Sequence, residues 1–240
     1  MVVGIVAAGV ALWPRDGGVD APPAGPTPSP TAPASPTDPP TDGVAAAFGG
    51  PLVAPGDRLV APVPAWDGEI TAWVRGRELR MRGGGWGVRA SGTQWLDAGG
   101  RAASLSPQVL LGEDGSVGVV VHLVGTAGYE LVPYVTRIEG ADGSGGAAHL
   151  TGAATVDRVG GSPPFRSGFA RRDGARHRVI SWVEGDGYGY TVVVPRNQTH
   201  RDPTELAGPV EAWRWTLAGE RLRPERLGGM CVEAGSLTAC

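Results

Sequence analysis

Apolar and polar side chains alternate with a period of two in several short stretches of the chain. Leu79 and Met81 alternate with charged residues within 78–82, and Trp213 and Trp215 do the same within 213–217. This period is typical of a β-strand that has one buried and one solvent-facing side. The segment 117–124 is instead apolar at almost every position. It predicts a central strand that is covered on both faces.

Glycine and proline leave little room for helices after residue 43. The longest stretch free of both residues is the ten residues 175–184, shorter than an average helix of about eleven residues. Pairs with ready access to positive φ separate the predicted strands and favour tight turns. These pairs are Gly99-Gly100, Asp114-Gly115, Asp142-Gly143 and Asp186-Gly187. We therefore expect an all-β fold, an antiparallel sandwich or barrel of short hairpins, with a small β-propeller as the alternative.

One sequence pattern occurs twice. An Ala-Trp pair is followed by a glycine and by the residues Arg-Glu-Leu-Arg in 72–80, and by Glu-Arg-Leu-Arg in 212–223. Each copy predicts a strand, a turn at the glycine and a return strand. Two copies with unequal spacing do not amount to a repeat architecture, which normally needs at least three units. We interpret them as similar hairpins near the two ends of one domain.

The first 43 residues differ in composition from the remainder. Residues 1–13 are almost wholly apolar, but they are fewer than the roughly 20 residues that span a bilayer. We interpret 1–15 as a membrane-anchor or signal remnant. Residues 16–43 are rich in Pro, Thr and Ala and contain no aromatic residue. Such a segment buries too little apolar surface to fold and predicts an extended linker. The β-rich domain is expected over 44–240, on the outer side of the cell membrane or secreted.

The overall charge gives no attraction to nucleic acid or to anionic lipid. The formal net charge is -3, and all 21 basic side chains are arginines. A general affinity for phosphate backbones requires a basic domain. We therefore expect no nucleic-acid partner, and contact with the membrane through the N-terminal segment alone.

The two cysteines, Cys231 and Cys240, are close to each other near the C-terminus. Their spacing matches neither a redox pair nor a zinc motif. A disulfide between them predicts an oxidising compartment outside the cytoplasm.

Motifs for catalysis, metal binding or cofactor binding are weak. The six residues 141–146 are similar to the nucleophile signature of chymotrypsin-like serine proteases, but an extra glycine separates Asp142 from Ser144. The base would have to be His122, which lies inside an apolar strand. No histidine spacing predicts a metal site, and no glycine-rich loop predicts a nucleotide cofactor. A pair of hydrolytic carboxylates leaves no linear signature, so a hydrolase stays open.

A binding surface is predicted around Trp86. Glycines flank Trp86 on both sides, which leaves it few strand neighbours and predicts an exposed loop position. Arg82 and Arg89 lie nearby in the sequence. Exposed aromatic and arginine side chains supply much of the energy of typical interfaces. We take Trp86, Arg82 and Arg89 as candidate ligand-binding residues. A second basic cluster at 171–178 is interpreted as a solvated turn, with contact to acidic polymers as the alternative.

The order of the segments, an apolar N-terminus, a Pro-rich linker and a Trp- and Gly-rich β domain, resembles uncharacterised membrane-anchored or exported surface proteins of high-GC Gram-positive bacteria. The resemblance rests on layout and composition. It implies a surface location. The expected function is a non-catalytic binding or sensing module whose partner is a cell-wall polymer or another surface protein. A secreted cell-wall or polysaccharide hydrolase is the alternative, and a structural surface protein is the third option.

Overall fold

The computed structural model describes residues 48–125, 128–139, 146–172, 174–198, 206–233 and 235–240. They form fifteen β-strands and one short 3₁₀ turn, Pro64–Trp66, with no α-helix among the described residues. The strands are β1 Leu59–Val63, β2 Gly68–Arg75, β3 Glu78–Gly85, β4 Val88–Trp95, β5 Ala103–Leu111, β6 Val117–Gly125, β7 Gly128–Glu139, β8 Gly146–Ala153, β9 Thr155–Val156, β10 Arg166–Arg172, β11 Ala175–Val183, β12 Gly189–Val193, β13 Gly208–Ala218, β14 Arg221–Glu233 and β15 Ser236–Ala239. The all-β prediction is confirmed.

The strands join in one extended order, β1-β2-β3-β4-β8-β7-β10-β11-β12-β13-β14-β15. Strand β7 is the junction of this order. Its first residues pair with β10, its last residues pair with β8, and β6 pairs with residues 128–135 along its other edge. Most pairs are antiparallel, but β4 with β8 and β9 with β14 are parallel. The arrangement is sandwich-like and is not a closed barrel. The described strands form one connected sheet rather than separate propeller blades.

Strand β6 confirms the prediction of a central strand. Its first seven residues, 117–123, are all buried. Val119 and Val121 face a first hydrophobic core, which also contains the inward side chains of β1 to β4. Val120 points the other way into a second core, where it meets Trp215 and Leu217 of β13. Both faces of β6 are therefore covered by apolar side chains, which explains its nearly continuous hydrophobic sequence.

A third core lies between β11, β12, β13 and β14 and includes Phe48. Phe48 packs on Trp182 with ring centroids 4.6 Å apart. Trp182 in turn stacks on Tyr190 at 5.7 Å. These contacts attach the first described residues to the far end of the sheet. Aromatic pairs at such distances stabilise a core beyond their area burial.

Three of the four predicted turns lie in described residues and have the expected geometry. Gly100, Gly115 and Gly187 all adopt positive φ, between 79° and 84°. The fourth turn, at Asp142-Gly143, lies outside the described residues. The apolar segment 1–15 and the Pro-rich linker 16–43 also lie outside them. No helix in the described part of the chain is long and apolar enough to cross a membrane.

The predicted disulfide between Cys231 and Cys240 is present. Strand β15 folds back on the end of β14, so that Met230 lies opposite Ala239 and Cys231 opposite Thr238. The Cα atoms of the two cysteines are 5.0 Å apart. The bond therefore fastens the last strand of the sheet to its neighbour.

Candidate functional site

The glycine run of β3 is explained by close approach of the backbone. Gly83 has φ +151°, and a Cβ there would collide with the carbonyl of Glu69 on β2. A Cβ at Gly85 would collide with the carbonyl of Trp66 in the 3₁₀ turn. Only glycine allows the neighbouring backbone to pass so close. The run thus packs the end of the β3–β4 hairpin against the chain before β2.

The three sequence-predicted binding residues lie on the β3–β4 hairpin. Trp86 is in the turn and is 87% exposed. Arg82 lies opposite Ser91, and Arg89 lies opposite Gly84. The register places both arginines on the solvent face of the sheet, since the alternate residue Ala90 is buried. The hairpin brings the three residues to one end of the sheet. Within the described residues, Trp86 makes no ring contact to either arginine.

The aromatic partner of Arg82 is Trp73 on β2. The guanidinium carbon of Arg82 lies 5.9 Å from the Trp73 ring centroid, and that of Arg58 lies 5.7 Å from it. Trp73 is therefore flanked by two cations. The signal for it was the alternation within β2. Ile70, Ala72 and Val74 are buried, whereas Thr71 and Trp73 lie on the other face and are only half-buried. The sequence argument singled out Trp86 and missed Trp73.

A second ring and cation lie on the same face. Trp95, 62% exposed, lies opposite Glu78, and Arg77 lies 5.2 Å from its ring centroid. We refer to these residues together as the Arg–Trp face. It consists of Arg58, Trp73, Arg77, Arg82, Arg89 and Trp95, with Trp86 at its end. The eight residues of β3 give it a length of about 24 Å.

The Arg–Trp face is basic although the chain as a whole is acidic. Arg80, which lies opposite Trp73 on the same face, forms an ion pair with Glu78. The Nη2 atom of Arg80 is 2.5 Å from a carboxylate oxygen of Glu78. Among the described residues, Arg58, Arg77, Arg82 and Arg89 form no such pair. Four guanidinium groups without carboxylate partners attract an anionic or hydrogen-bond-accepting ligand.

The described carboxylates whose pKa values shift, Asp114, Asp157 and Glu211, all have a lowered pKa, which does not suit proton donation. The hydrogen bond from Arg221 lowers the pKa of Asp157. Burial of Glu211 favours its neutral form, but the hydrogen bond and charge of Arg172 outweigh burial and lower the pKa. A glycosidase needs a carboxylic acid with a raised pKa as its proton donor. Asp157 and Glu211 are shifted in the opposite direction.

His122, the histidine weighed as a protease base, is buried in the sheet. Burial lowers its pKa to about 4, and its Nε2 atom is enclosed without a hydrogen-bond partner among the described residues. Its ring meets the edge of Tyr129 at a centroid distance of 6.1 Å. Ser144, the residue in the nucleophile position of the protease-like motif, lies outside the described residues. His122 is thus a packed core residue and not an exposed base.

Within the described ranges, no group of three or more histidine, cysteine or acidic side chains is arranged to hold a metal ion. No protein-family model, no curated protein and no solved structure matches the chain. The candidate site therefore rests on the side chains of the Arg–Trp face.

Proposed function

We propose that the domain is a non-catalytic binding module that recognises a polar or anionic polymer outside the cytoplasm, through the Arg–Trp face. The observation that carries this proposal is the position of Trp73. It lies on an open sheet face between the guanidinium groups of Arg58 and Arg82. A large aromatic ring left on a solvent face between two cations is a feature of binding surfaces rather than of a core.

The geometry favours an extended ligand. A guanidinium group stacked on a ring keeps its N–H donors directed outward, so it binds an oxyanion with little loss of side-chain freedom. Trp73 on β2 and Trp95 on β4 present ring surface on the same face, one on each side of β3. Aromatic anchors and arginine donors therefore alternate over about 24 Å, which suits a chain-like ligand.

Two further features support a location outside the cytoplasm. The disulfide between Cys231 and Cys240 is the kind of bond that persists in oxidising compartments. The sequence 16–43 has the composition of an extended linker, which suits a domain that must reach a partner beyond its point of attachment. We infer that the partner is a cell-wall polymer or another surface protein.

The proposal is tested by retention of the full chain on isolated cell-wall fractions. Trp73→Ala is expected to reduce the retained fraction about tenfold, because loss of one aromatic anchor costs more than 1 kcal/mol of binding. Trp86→Ala is expected to reduce retention less, since its exposed ring has no arginine stacked on it. Arg196→Gln is the matched control, because it removes an exposed arginine that lies apart from the Arg–Trp face.

Equal retention of wild type and Trp73→Ala, with unchanged circular dichroism, would remove the Arg–Trp face from the binding site. Turnover of wall glycan or peptide by the wild type, abolished by a single Asp or Glu substitution, would replace the binding module with a hydrolase.

A further inference from the structure

A groove of about 680 Å³ shares no lining residue with the Arg–Trp face. Its walls are the end of the β6–β7 hairpin, strand β10 and the segment 157–165 that joins β9 to β10. Four arginines line it, together with proline and aromatic rings. This volume lies within the range of sites that hold small organic molecules.

The charge of the groove is strongly one-sided. Its single acidic side chain, Glu130, is paired with Arg101 at 2.7 Å. Among the described residues, Arg158, Arg166 and Arg171 have no carboxylate partner. Three guanidinium groups therefore remain for a ligand, and planar guanidinium groups match the geometry of phosphate and carboxylate.

Two buried polar atoms in the groove lack partners. The Nε of Arg166 and the Oγ of Ser162 are enclosed, and neither forms a hydrogen bond within the described part of the chain. Buried donors are almost always satisfied in folded proteins, so an unsatisfied one needs an explanation. Both residues line the groove. A rotation of either side chain into the groove would bring these atoms to a ligand that carries oxygen acceptors, which would supply the missing partners.

Arg166 is held in place by a chain of buried hydrogen bonds. Its backbone N–H donates to Ser181 Oγ at 3.0 Å, and the Ser181 hydroxyl donates back to its carbonyl at 2.8 Å. The hydroxyl oxygens of Ser181 and Thr191 are 2.6 Å apart, and Trp215 Nε1 donates to the Thr191 hydroxyl at 2.8 Å. This chain fixes the start of β10 before any ligand arrives, as preorganised sites require.

The apolar part of the lining consists mainly of ring side chains. Pro163, Pro164 and the ring of Phe169 form part of the wall, and Phe165 rests on Trp215 with ring centroids 5.5 Å apart. Phe169 is 45% exposed, unusual for a phenylalanine. Rigid ring surfaces beside arginines fit a ligand that has a ring body and a charged group.

A pair of like charges at the groove strengthens the case for an anion. Arg171 lies directly opposite Arg176 across the β10–β11 hairpin. Like charges in this position repel each other. A bound oxyanion at Arg171 would offset that repulsion.

We propose that this groove binds a monosaccharide unit that carries a phosphate or a carboxylate group. Arg158, Arg166 and Arg171 hold the oxyanion. The Ser162 hydroxyl forms a hydrogen bond with a hydroxyl group of the sugar ring. The proline and phenylalanine rings pack on the sugar. The site is separate from the Arg–Trp face and does not depend on the function proposed for it.

The test measures binding of three sugars that share one ring to the full chain by titration calorimetry. The ligands are glucose 6-phosphate, glucuronate and neutral glucose. At least one charged sugar is expected to bind tenfold or more tightly than glucose, and the tighter of the two identifies the preferred oxyanion. Added salt is expected to weaken binding.

Arg166→Gln is expected to lower the affinity about tenfold by removing a charge-assisted hydrogen bond, and Ser162→Ala to lower it less. Arg196→Gln, at an exposed arginine that belongs neither to the groove nor to the Arg–Trp face, is the matched control and leaves the affinity unchanged. Melting temperatures equal to that of the wild type show that the variants fold.

The proposal is overturned if neither charged sugar binds more tightly than glucose, or if Arg166→Gln and Ser162→Ala both leave the affinity unchanged. Capture by anionic lipid vesicles that glucose 6-phosphate does not displace would also overturn it, because it assigns the arginines to a membrane surface.

Discussion

The hairpins β2–β3 and β13–β14 share an Ala-Trp pattern, yet the structure uses their tryptophans in opposite ways. Ala72 and Ala212 are both fully buried. Trp73, the residue after the first alanine, lies on an open face between two arginines. Trp213, the residue after the second, is 4% exposed. The same dipeptide therefore supplies a surface ring in one hairpin and an interior ring in the other.

The difference lies in what covers the second face of each hairpin. Strand β2 buries Ile70, Ala72 and Val74 toward the first core, and its other face is open to solvent. Strand β13 buries Ala212 in the third core on one face and Trp215 in the second core on the other. A strand between two cores needs apolar residues on both sides. Coverage by distant strands, and not the local sequence, decides the role of each ring.

The largest expected difference between the two hairpins is in thermodynamic stability. Trp215→Ala is expected to lower the free energy of unfolding by about 3–5 kcal/mol, because it removes a fully buried ring that also donates to Thr191. Trp73→Ala is expected to cost about 1 kcal/mol or less, since a partly exposed ring stacked on arginines contributes little. Urea denaturation followed by circular dichroism measures both. Comparable losses in the two variants would show that the β2–β3 face is also covered.

The next effect concerns His122, which lies in the covered part of the sheet. Its pKa in the folded chain is lowered by burial to about 4 from an ordinary value of 6.5. Below pH 6.5 the unfolded chain therefore takes up a proton that the folded chain does not. Stability falls as the pH is lowered from about 6.5 to about 4, by about 3 kcal/mol in all. Among the described residues, no carboxylate lines the cavity beside its ring to offset the charge.

Urea denaturation of wild type and His122→Leu at pH 7.5 and pH 5 checks this expectation. The wild type is expected to lose about 2 kcal/mol more than His122→Leu between the two values. His149→Gln is the control, because His149 is exposed on β8 and its variant should behave like the wild type. An equal pH dependence in wild type and His122→Leu would contradict the buried neutral histidine.

The third effect concerns the disulfide that links the end of the β13–β14 hairpin to β15. Replacing Cys231 and Cys240 together by serine removes the bond between β14 and β15. The loop that it closes is short, so the expected loss is about 2.5 kcal/mol on the chain-entropy model. Thermal unfolding of the variant and of reduced wild type measures the loss. If the Cys231→Ser, Cys240→Ser variant unfolds at the wild-type temperature, the disulfide contributes nothing to the stability of the sheet.

Local patterns predicted much of this fold. The alternation around Leu79 and Met81, the apolar run of β6 and the glycine turns each reflect physics confined to neighbouring residues. The single disulfide followed from the presence of two cysteines. The parallel pairing of β4 with β8 could not be predicted, because the paired residues are 58 positions apart in the chain. No local signal records such a contact.

The candidate site was predictable only in part. Flanking glycines correctly placed Trp86 on the surface, although their own role is to let β3 pass close to the Trp66 carbonyl. The stacking of Arg58 and Arg82 on Trp73 depends on the register of three strands. The groove beside β10 combines residues from Arg101 to Trp215. Neither arrangement exists before the chain folds.

The three partners of β7 have a consequence for how the domain comes apart. One end of this strand pairs with β10 and the other with β8, while β6 pairs with residues 128–135. Separation of the β8 side or of the β10 side of the sheet would break a row of backbone hydrogen bonds along β7 and expose the apolar side chains packed beside them. Partial unfolding of the sheet is therefore costly in free energy. Strand β7 couples the strands on its two sides, so that the domain unfolds in one cooperative transition. We therefore expect the backbone amides of Gly128–Glu139 to be among the slowest in the domain to exchange their hydrogens with solvent.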